Sequence, residues 1–204
     1  MQIALDSTGQ RIVAAKGLTA MCPCCRTRVV AKCGEIKIWH WAHESLKDCD
    51  AWSEGETRWH AGWKSKWPEV QREVVLTSAH RADVLTKDGH VIEFQSRMLS
   101  PEEFRERETF YGSRSRGLVW VIKANGSYEN DRLQIVDKHT HANFRWRWEP
   151  KSLLSCQAPV FLHFSTGQLL EIARTYSGRV RGWGRLWKVS DFLKRFGAEP
   201  KKES

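Results

Sequence analysis

The sequence predicts an α/β protein, and three observations carry that expectation. Residues 51–124 read in the order helix, strand, strand, strand, helix, strand. An Asp-Gly turn separates the two central strands. A capped helix then precedes the apolar run Leu118-Val119-Trp120-Val121-Ile122, as a crossover between two strands of one sheet would. Residues 1–50 form a Cys/His-bearing module, residues 51–124 the core, and residues 125–204 a small α+β region rich in Trp and Arg.

The elements follow in order. In the first region, Arg11–Ala14, Arg28–Ala31 and Ile36–Trp39 read as short strands joined by Gly-containing turns. A helix starting at Ser53 or a neighbour runs to Trp67 and is stopped by Pro68, with Trp52, Trp59, Trp63 and Trp67 recurring at helical spacing. Strands are expected at Glu73–Thr77, His80–Thr86 and Val91–Gln95, the last two joined by Lys87-Asp88-Gly89-His90. Ser100-Pro101-Glu102-Glu103 matches a capping box with Pro at the first helical position, opening a helix to about Tyr111. In the third region, Leu133–Val136, Phe144–Trp148 and Val160–Phe164 read as strands, Gly167–Arg174 and Ser190–Phe196 as helices, and Pro200–Ser204 as a frayed tail.

Composition narrows the classes. Of 204 residues, 41% are hydrophobic, too many for general disorder. No apolar stretch approaches the roughly 20 residues a membrane helix needs, and the N-terminus has no apolar run behind a basic flank, so a cytoplasmic protein without a membrane partner is expected. A net charge of +9 points to a polyanionic partner, with nucleic acid as the default and a solvated basic face as the alternative. Several of the eleven tryptophans alternate with basic residues, as in Arg145-Trp146-Arg147-Trp148 and Arg181-Gly182-Trp183-Gly184-Arg185-Leu186-Trp187. Aromatic faces beside cations suit stacked bases and phosphates, although core packing accounts for most tryptophans in any chain.

The chemistry concentrates in Arg81-Ala82-Asp83-Val84 and Ile92-Glu93-Phe94-Gln95-Ser96. Each acid stands between apolar neighbours, so strand alternation sets it on the face opposite them, and Gln95 shares the face of Glu93. A hairpin would let Asp83 and Glu93 approach one another. Two neighbouring carboxylates repel unless a cation or shared proton intervenes. Mg²⁺ answers that need, since it takes one or two carboxylates plus waters and substrate phosphate. The competing reading is an exposed pair matched by Arg81, Arg97 or nearby lysines. Helical stripes at four-residue steps, Glu56/His60/Lys64 and Glu103/Arg107/Tyr111, flank the acids and favour a site. Glu73 reads as an exposed strand-end carboxylate, with metal ligation as the alternative.

Five of six cysteines lie between Cys22 and Cys49, a clustering that reads as metal binding rather than a disulfide framework. Cys22 and Cys25 form a C-x-x-C, and Cys24, Cys33, His40, His43 and Cys49 are the other donors in reach. Zinc takes four thiolate or imidazole ligands in a tetrahedron. Cys22, Cys25, His43 and Cys49 are the favoured set, His40 is the first substitute, and a group of reduced cysteines without metal is the alternative. A closed site of this kind is structural.

Taken in order, Gly55-Glu56-Thr57-x-x-His60-x-x-x-Lys64, Arg81-Ala82-Asp83-Val84, Ile92-Glu93-Phe94-Gln95-Ser96, Glu103-x-x-x-Arg107-x-x-x-Tyr111 and Val119-Trp120-Val121-Ile122 resemble the CoiA family of competence-associated proteins. With the upstream cysteines and His40-Trp41-Ala42-His43, the resemblance covers about residues 20–124. It implies a PD-(D/E)xK restriction-endonuclease-like α/β core, here with a zinc-ribbon-like N-terminal module, and hydrolysis of DNA phosphodiesters with Mg or Mn. By position, Asp83 and Glu93 become the metal-binding acids, Glu56 the acid of the preceding helix, and Gln95 the occupant of the usual lysine position. Gln95 supplies no positive charge, which leaves Lys64 as the substitute cation. His60, Arg81, Arg107 and Tyr111 are the candidate substrate contacts. DNA, of whichever form, is the expected partner, alongside protein partners in DNA processing. A nuclease-fold module that binds or recruits without useful catalysis is the competing function, and a hydrolase using the Cys/His zinc comes third.

Overall fold

In a computed structural model, the described residues are 1–35, 37–44, 49, 52, 55–77, 80–148, 150–176 and 178–198. They form a mixed α/β structure in two compact units, Met1–Leu85 and Thr86–Ser204. Among the described residues no helix is long and apolar enough to cross a membrane.

The first unit opens with a five-stranded antiparallel sheet. Its strands β1 (Ile3–Leu5), β2 (Arg11–Val13), β3 (Thr19–Met21), β4 (Arg28–Lys32) and β5 (His40–His43) lie in the order β2-β1-β3-β4-β5. Its core is small: Ala4, Ala20, Cys22, Val29 and Trp41 are buried together. Trp41 donates its indole N–H to the Ile12 carbonyl at 3.1 Å, so the large ring enters the core without an unpaired donor. The strand expected at Ile36–Trp39 forms instead at His40–His43; Ile36 itself lies outside the described residues. Pairing with β4 and the burial of Trp41 rather than Trp39 decide the position.

Helix α1 (Arg58–Lys64) is shorter than the sequence predicts. Thr57, whose hydroxyl accepts the His60 amide N–H, caps it; the expected cap Ser53 lies outside the described residues. The chain then tightens, with Lys66 N–H to Trp63 carbonyl and Trp67 N–H to Lys64 carbonyl, while Trp63 and Trp67 stay buried. Strands β6 (Arg72–Val75) and β7 (Arg81–Leu85) form an antiparallel pair with Arg72 opposite Val84 and Val74 opposite Ala82.

The second unit is built on strands β8 (His90–Gln95), β9 (Gly117–Lys123), β10 (Leu133–Asp137), β11 (Ala142–Trp146), β12 (Val160–Ser165), β13 (Gln168–Tyr176) and β14 (Arg179–Lys188). They run in the order β10-β11-β14-β13-β12-β9-β8. β9 is parallel to both β8 and β12; the other pairs are antiparallel. Helix α2 (Pro101–Gly112) is the crossover the sequence predicts, with the complete capping box on Ser100 and Glu103. Phe104 of α2 meets Trp120 of β9 edge-on at 5.1 Å between ring centroids, both fully buried. Each such ring contributes about 1.5–3 kcal/mol by leaving water. Glu108 secures the helix further, accepting the Trp120 indole N–H and the backbone N–H of Gln157 and Ala158. Helices α3 (Asn125–Glu129) and α4 (Val189–Arg195) complete the unit.

One expected helix is a strand. After the turn at Gly167, residues 168–174 belong to β13, which turns back from β12 and pairs with β14 on its other side. Two flanking ladders outweigh a weak helical pattern, and Ile172, Thr175 and Tyr176 suit a strand. Its partner β14, the Arg/Gly/Trp run, carries two glycines for a steric reason. A Cβ on Gly182 would lie 1.8 Å from the Arg174 carbonyl oxygen, and one on Gly184 would lie 2.0 Å from that of Glu171. β13 bulges between Ile172 and Arg174 and presses its backbone on these positions.

Candidate functional site

The first unit gathers three carboxylates around one ammonium. Lys64, in the last turn of α1, places its Nζ 2.7 Å from Glu56 Oε2, 2.7 Å from Glu73 Oε1 and 3.7 Å from Asp83 Oδ1. The helix thus supplies the cation, the residue just before its cap one acid, and the β6–β7 pair the other two. Glu73 is 1% exposed, which corrects the expectation of an exposed strand-end carboxylate. Its φ of 49° is uncommon for a non-glycine residue. In that conformation its two carboxylate oxygens also accept the backbone N–H of Gln2 and Ile3 at 2.9–3.0 Å.

Electrostatics hold Glu73 and Lys64 ionised. Burial alone would push the Glu73 carboxyl up, but Lys64 and Arg81 beside it bring it well below the usual carboxylate range. Burial would likewise lower the Lys64 ammonium, and Glu73, Asp83 and Glu56 together raise it above its ordinary value. Three carboxylates face this one ammonium. Glu56 keeps a buried oxygen, Oε1, without a hydrogen-bond partner, and Asp83 is the most exposed of the acids at 25%. A donor set of carboxylate oxygens with an unsatisfied buried atom fits a hard divalent cation.

The second unit holds Glu93 and Gln95 on β8, both buried. Glu93 Oε1 accepts the Tyr111 hydroxyl at 3.0 Å, and Arg107 Nη1 lies 3.6 Å from Glu93 Oε2. Arg107 and Tyr111 were expected as substrate contacts; each is 1% exposed and faces Glu93 instead. The helical stripe of Glu103, Arg107 and Tyr111 therefore divides. Glu103 turns to Ser100 and Arg97, whose guanidinium beside it brings its carboxyl down to about 2. His60 is buried, with Nδ1 3.0 Å from the Thr57 hydroxyl, and Arg81 has a guanidinium nitrogen 3.2 Å from the Met1 sulfur.

The Cys/His cluster lies in the first unit. One donor atom from each of Cys22, Cys25, His43 and Cys49 falls within 4.8 Å of the others. Cys22 and Cys49 sulfurs are 3.6 Å apart, and Cys25 Sγ is 3.3 Å from His43 Nε2. Ligands at tetrahedral angles on an ion with metal–sulfur bonds of about 2.3 Å would sit about 3.8 Å apart, so the spacing suits a metal such as zinc. A knuckle presents the pair Cys22/Cys25: Cys22 N–H bonds the Thr27 carbonyl, Arg26 N–H bonds the Cys22 carbonyl, and Arg26 takes φ 61°. Burial pushes the Cys25 thiol up, but hydrogen bonds from Thr27, His43 and Cys49 bring it down to about 6, toward the thiolate a metal binds. Cys24 points elsewhere, 3.6 Å from the Thr77 carbonyl, and His40 Nδ1 lies 2.9 Å from the Ile38 carbonyl oxygen.

Sequence reasoning missed two features. Gln71 is buried, and neither side-chain amide atom has a hydrogen-bond partner; no motif marks it. Glu73 was seen only as a weak candidate, because its burial depends on the Gln2–Ile3 backbone some 70 residues away in sequence.

Comparison with known proteins now adds to the geometry. Residues 10–51 match the family model described as "Competence protein CoiA, N-terminal domain", and residues 58–169 match "Competence protein CoiA, nuclease-like domain". No curated protein and no solved structure gives a significant match. The first matched segment carries the Cys/His cluster and the second carries Lys64, Glu73, Asp83, Glu93 and Gln95. With the nuclease-like model alone spanning more than half of its residues, the chain belongs to the CoiA competence-protein family.

Proposed function

We propose that this protein is a Mg- or Mn-dependent deoxyribonuclease with a PD-(D/E)xK core. The observation that carries the reading is the set of Glu56, Glu73 and Asp83 around the buried Lys64, inside a chain whose family model is nuclease-like. Asp83 and Glu93 are the assigned ligands of the divalent ion. Such an ion, when bound, polarises a phosphodiester and acidifies a water. The chain's own groups do the rest. Tyr111 and Arg107 hold Glu93 as an oriented anion. Lys64, kept charged by its acids, takes the electrostatic role that Gln95 cannot fill. Arg81 remains a candidate contact to DNA, and Glu56 orients Lys64 through a 2.7 Å bond.

The Cys3His cluster is read as a structural zinc site in a ribbon-like module, since its four donors leave no open position. DNA uptake, recombination and phage-related DNA processing all call for such an enzyme. The second reading, a binding or recruiting module without strong catalysis, is favoured by the buried Gln95 amide. One assay separates the two. Purified protein is incubated with linear, circular, single-stranded and branched DNA, with and without Mn²⁺. Metal-dependent product is expected, and Asp83→Ala or Glu93→Ala should reduce it at least 100-fold. Binding with no product on any substrate would sink the nuclease reading; full activity in either variant would sink the site assignment.

A further inference from the structure

We propose that the outer face of β11 and β14 is a separate docking site for single-stranded nucleic acid, with phosphate seated between Arg145 and Arg181 and a base stacked on Trp148. The site lies wholly in the second unit and does not depend on the acids assigned to cleavage.

Three observations carry it. First, the antiparallel register sets Arg145 directly opposite Arg181, and both side chains are exposed. Like charges facing each other across strands destabilise a sheet, so this pair costs the fold stability unless an anion lies between them. Second, both arginines line a cavity of about 570 Å³ together with Arg147, Trp148 and Lys151. Four of these side chains are cations, which complements a phosphate backbone. Third, Trp148 is 83% exposed and sits at φ 50°. A bulky residue in the left-handed region is strained, and an uncovered indole forgoes most of what its burial would contribute. Strain and exposure coincide at a residue that lines the cationic cavity, with the Arg132 guanidinium 5.9 Å from the centre of its ring.

Chemistry chooses the occupant. An exposed indole beside phosphate-binding cations has a use only where a base is free to stack. Bases of a duplex are already stacked on one another, whereas those of a single strand are available. Along β14, Arg181, Trp183 and Arg185 continue the exposed face at every second residue, about 6.8 Å apart. That alternation of cation and ring gives an extended strand further places to lie.

The test measures anisotropy of labelled single-stranded dT and rU oligomers, and of a duplex of equal length, on the full chain without added divalent metal. Arg145→Gln/Arg181→Gln is expected to weaken single-strand binding at least 10-fold and to lower the slope of log affinity against log salt by about 1.4. Trp148→Ala is expected to weaken it roughly 5- to 100-fold. Both single strands should bind, the comparison of dT with rU telling which sugar the site prefers. A melting temperature for Arg145→Gln/Arg181→Gln at or above that of the parent separates a ligand site from a structural one, because removing opposed charges relieves repulsion. Unchanged affinity in both variants overturns the proposal. So does duplex binding of equal strength that falls equally in the variants, and so does a lowered melting temperature in the arginine variant.

Discussion

At the scale of single residues, the informative group is Lys64 with its acids, because a buried charge survives only when paired. Glu73→Gln removes the carboxylate that binds Lys64 and two backbone N–H groups. Truncating one partner of a buried pair costs about 3–5 kcal/mol. The pH dependence has a definite sign. A carboxyl held low in the folded state stabilises fully above its unfolded value, about 4.3, and loses that contribution as pH falls toward its folded value. Urea unfolding at pH 7, 4 and 3 should therefore show Glu73→Gln less stable than the parent at pH 7, with the gap narrowing as acid is added. A gap that stays constant over that range would mean the Glu73 charge contributes nothing. Lys64, raised above its usual value, makes the opposite case: its contribution is intact below about pH 10.4 and declines only above it.

At the scale of elements, β14 shows how a composition that looks like a binding motif also obeys packing. Arg181, Trp183 and Arg185 face outward, while Gly182 and Gly184 sit where β13 leaves no room for a Cβ. Gly184→Ala is expected to cost about 1–3 kcal/mol, since the obstacle is the Glu171 carbonyl oxygen, which cannot swing aside as a side chain does. Gly126→Ala in α3 is the control: its Cβ would meet nothing within 4 Å, so it should be neutral or stabilise by about 0.4–1 kcal/mol. Denaturant midpoints of the two variants measure the contrast, and equal midpoints would refute the close approach. Helix α4 is simpler. Phe192 and Phe196 pack on Phe161, and Gly197 at φ 67° follows the helix while Ala198 N–H returns to the Leu193 carbonyl, an ending that Gly favours.

At the scale of the whole molecule, the large aromatic cluster and the Cys3His cluster lie in different units. The sheet of residues 3–43 encloses a small core and, with Cys49, carries the Cys3His cluster; the larger unit has Phe104, Trp120, Phe161 and Phe192 buried in it. Metal removal should therefore act unevenly. With a zinc chelator, amide exchange is expected to rise across residues 3–43 and to stay slow in residues 117–123 and 160–164; unchanged exchange in the first segment would remove the structural role of the metal. Much of this was legible in sequence. The C-x-x-C with His43 and Cys49, the capping box at Ser100, the strands that carry Asp83 and Glu93 and the α2 crossover all rest on short-range rules of spacing and propensity, which a linear chain displays. Other features were not legible, because they depend on partners far away in sequence. Residues 168–174 became a strand through pairing on two sides, Arg107 and Tyr111 turned inward to a carboxylate on β8, and Glu73 was buried by the backbone of Gln2 and Ile3. By itself the sequence determined which residue types were available and at what local period. Tertiary structure alone decided which charges were desolvated together and which aromatic faces stayed in water, since burial and pairing are properties of the packed chain.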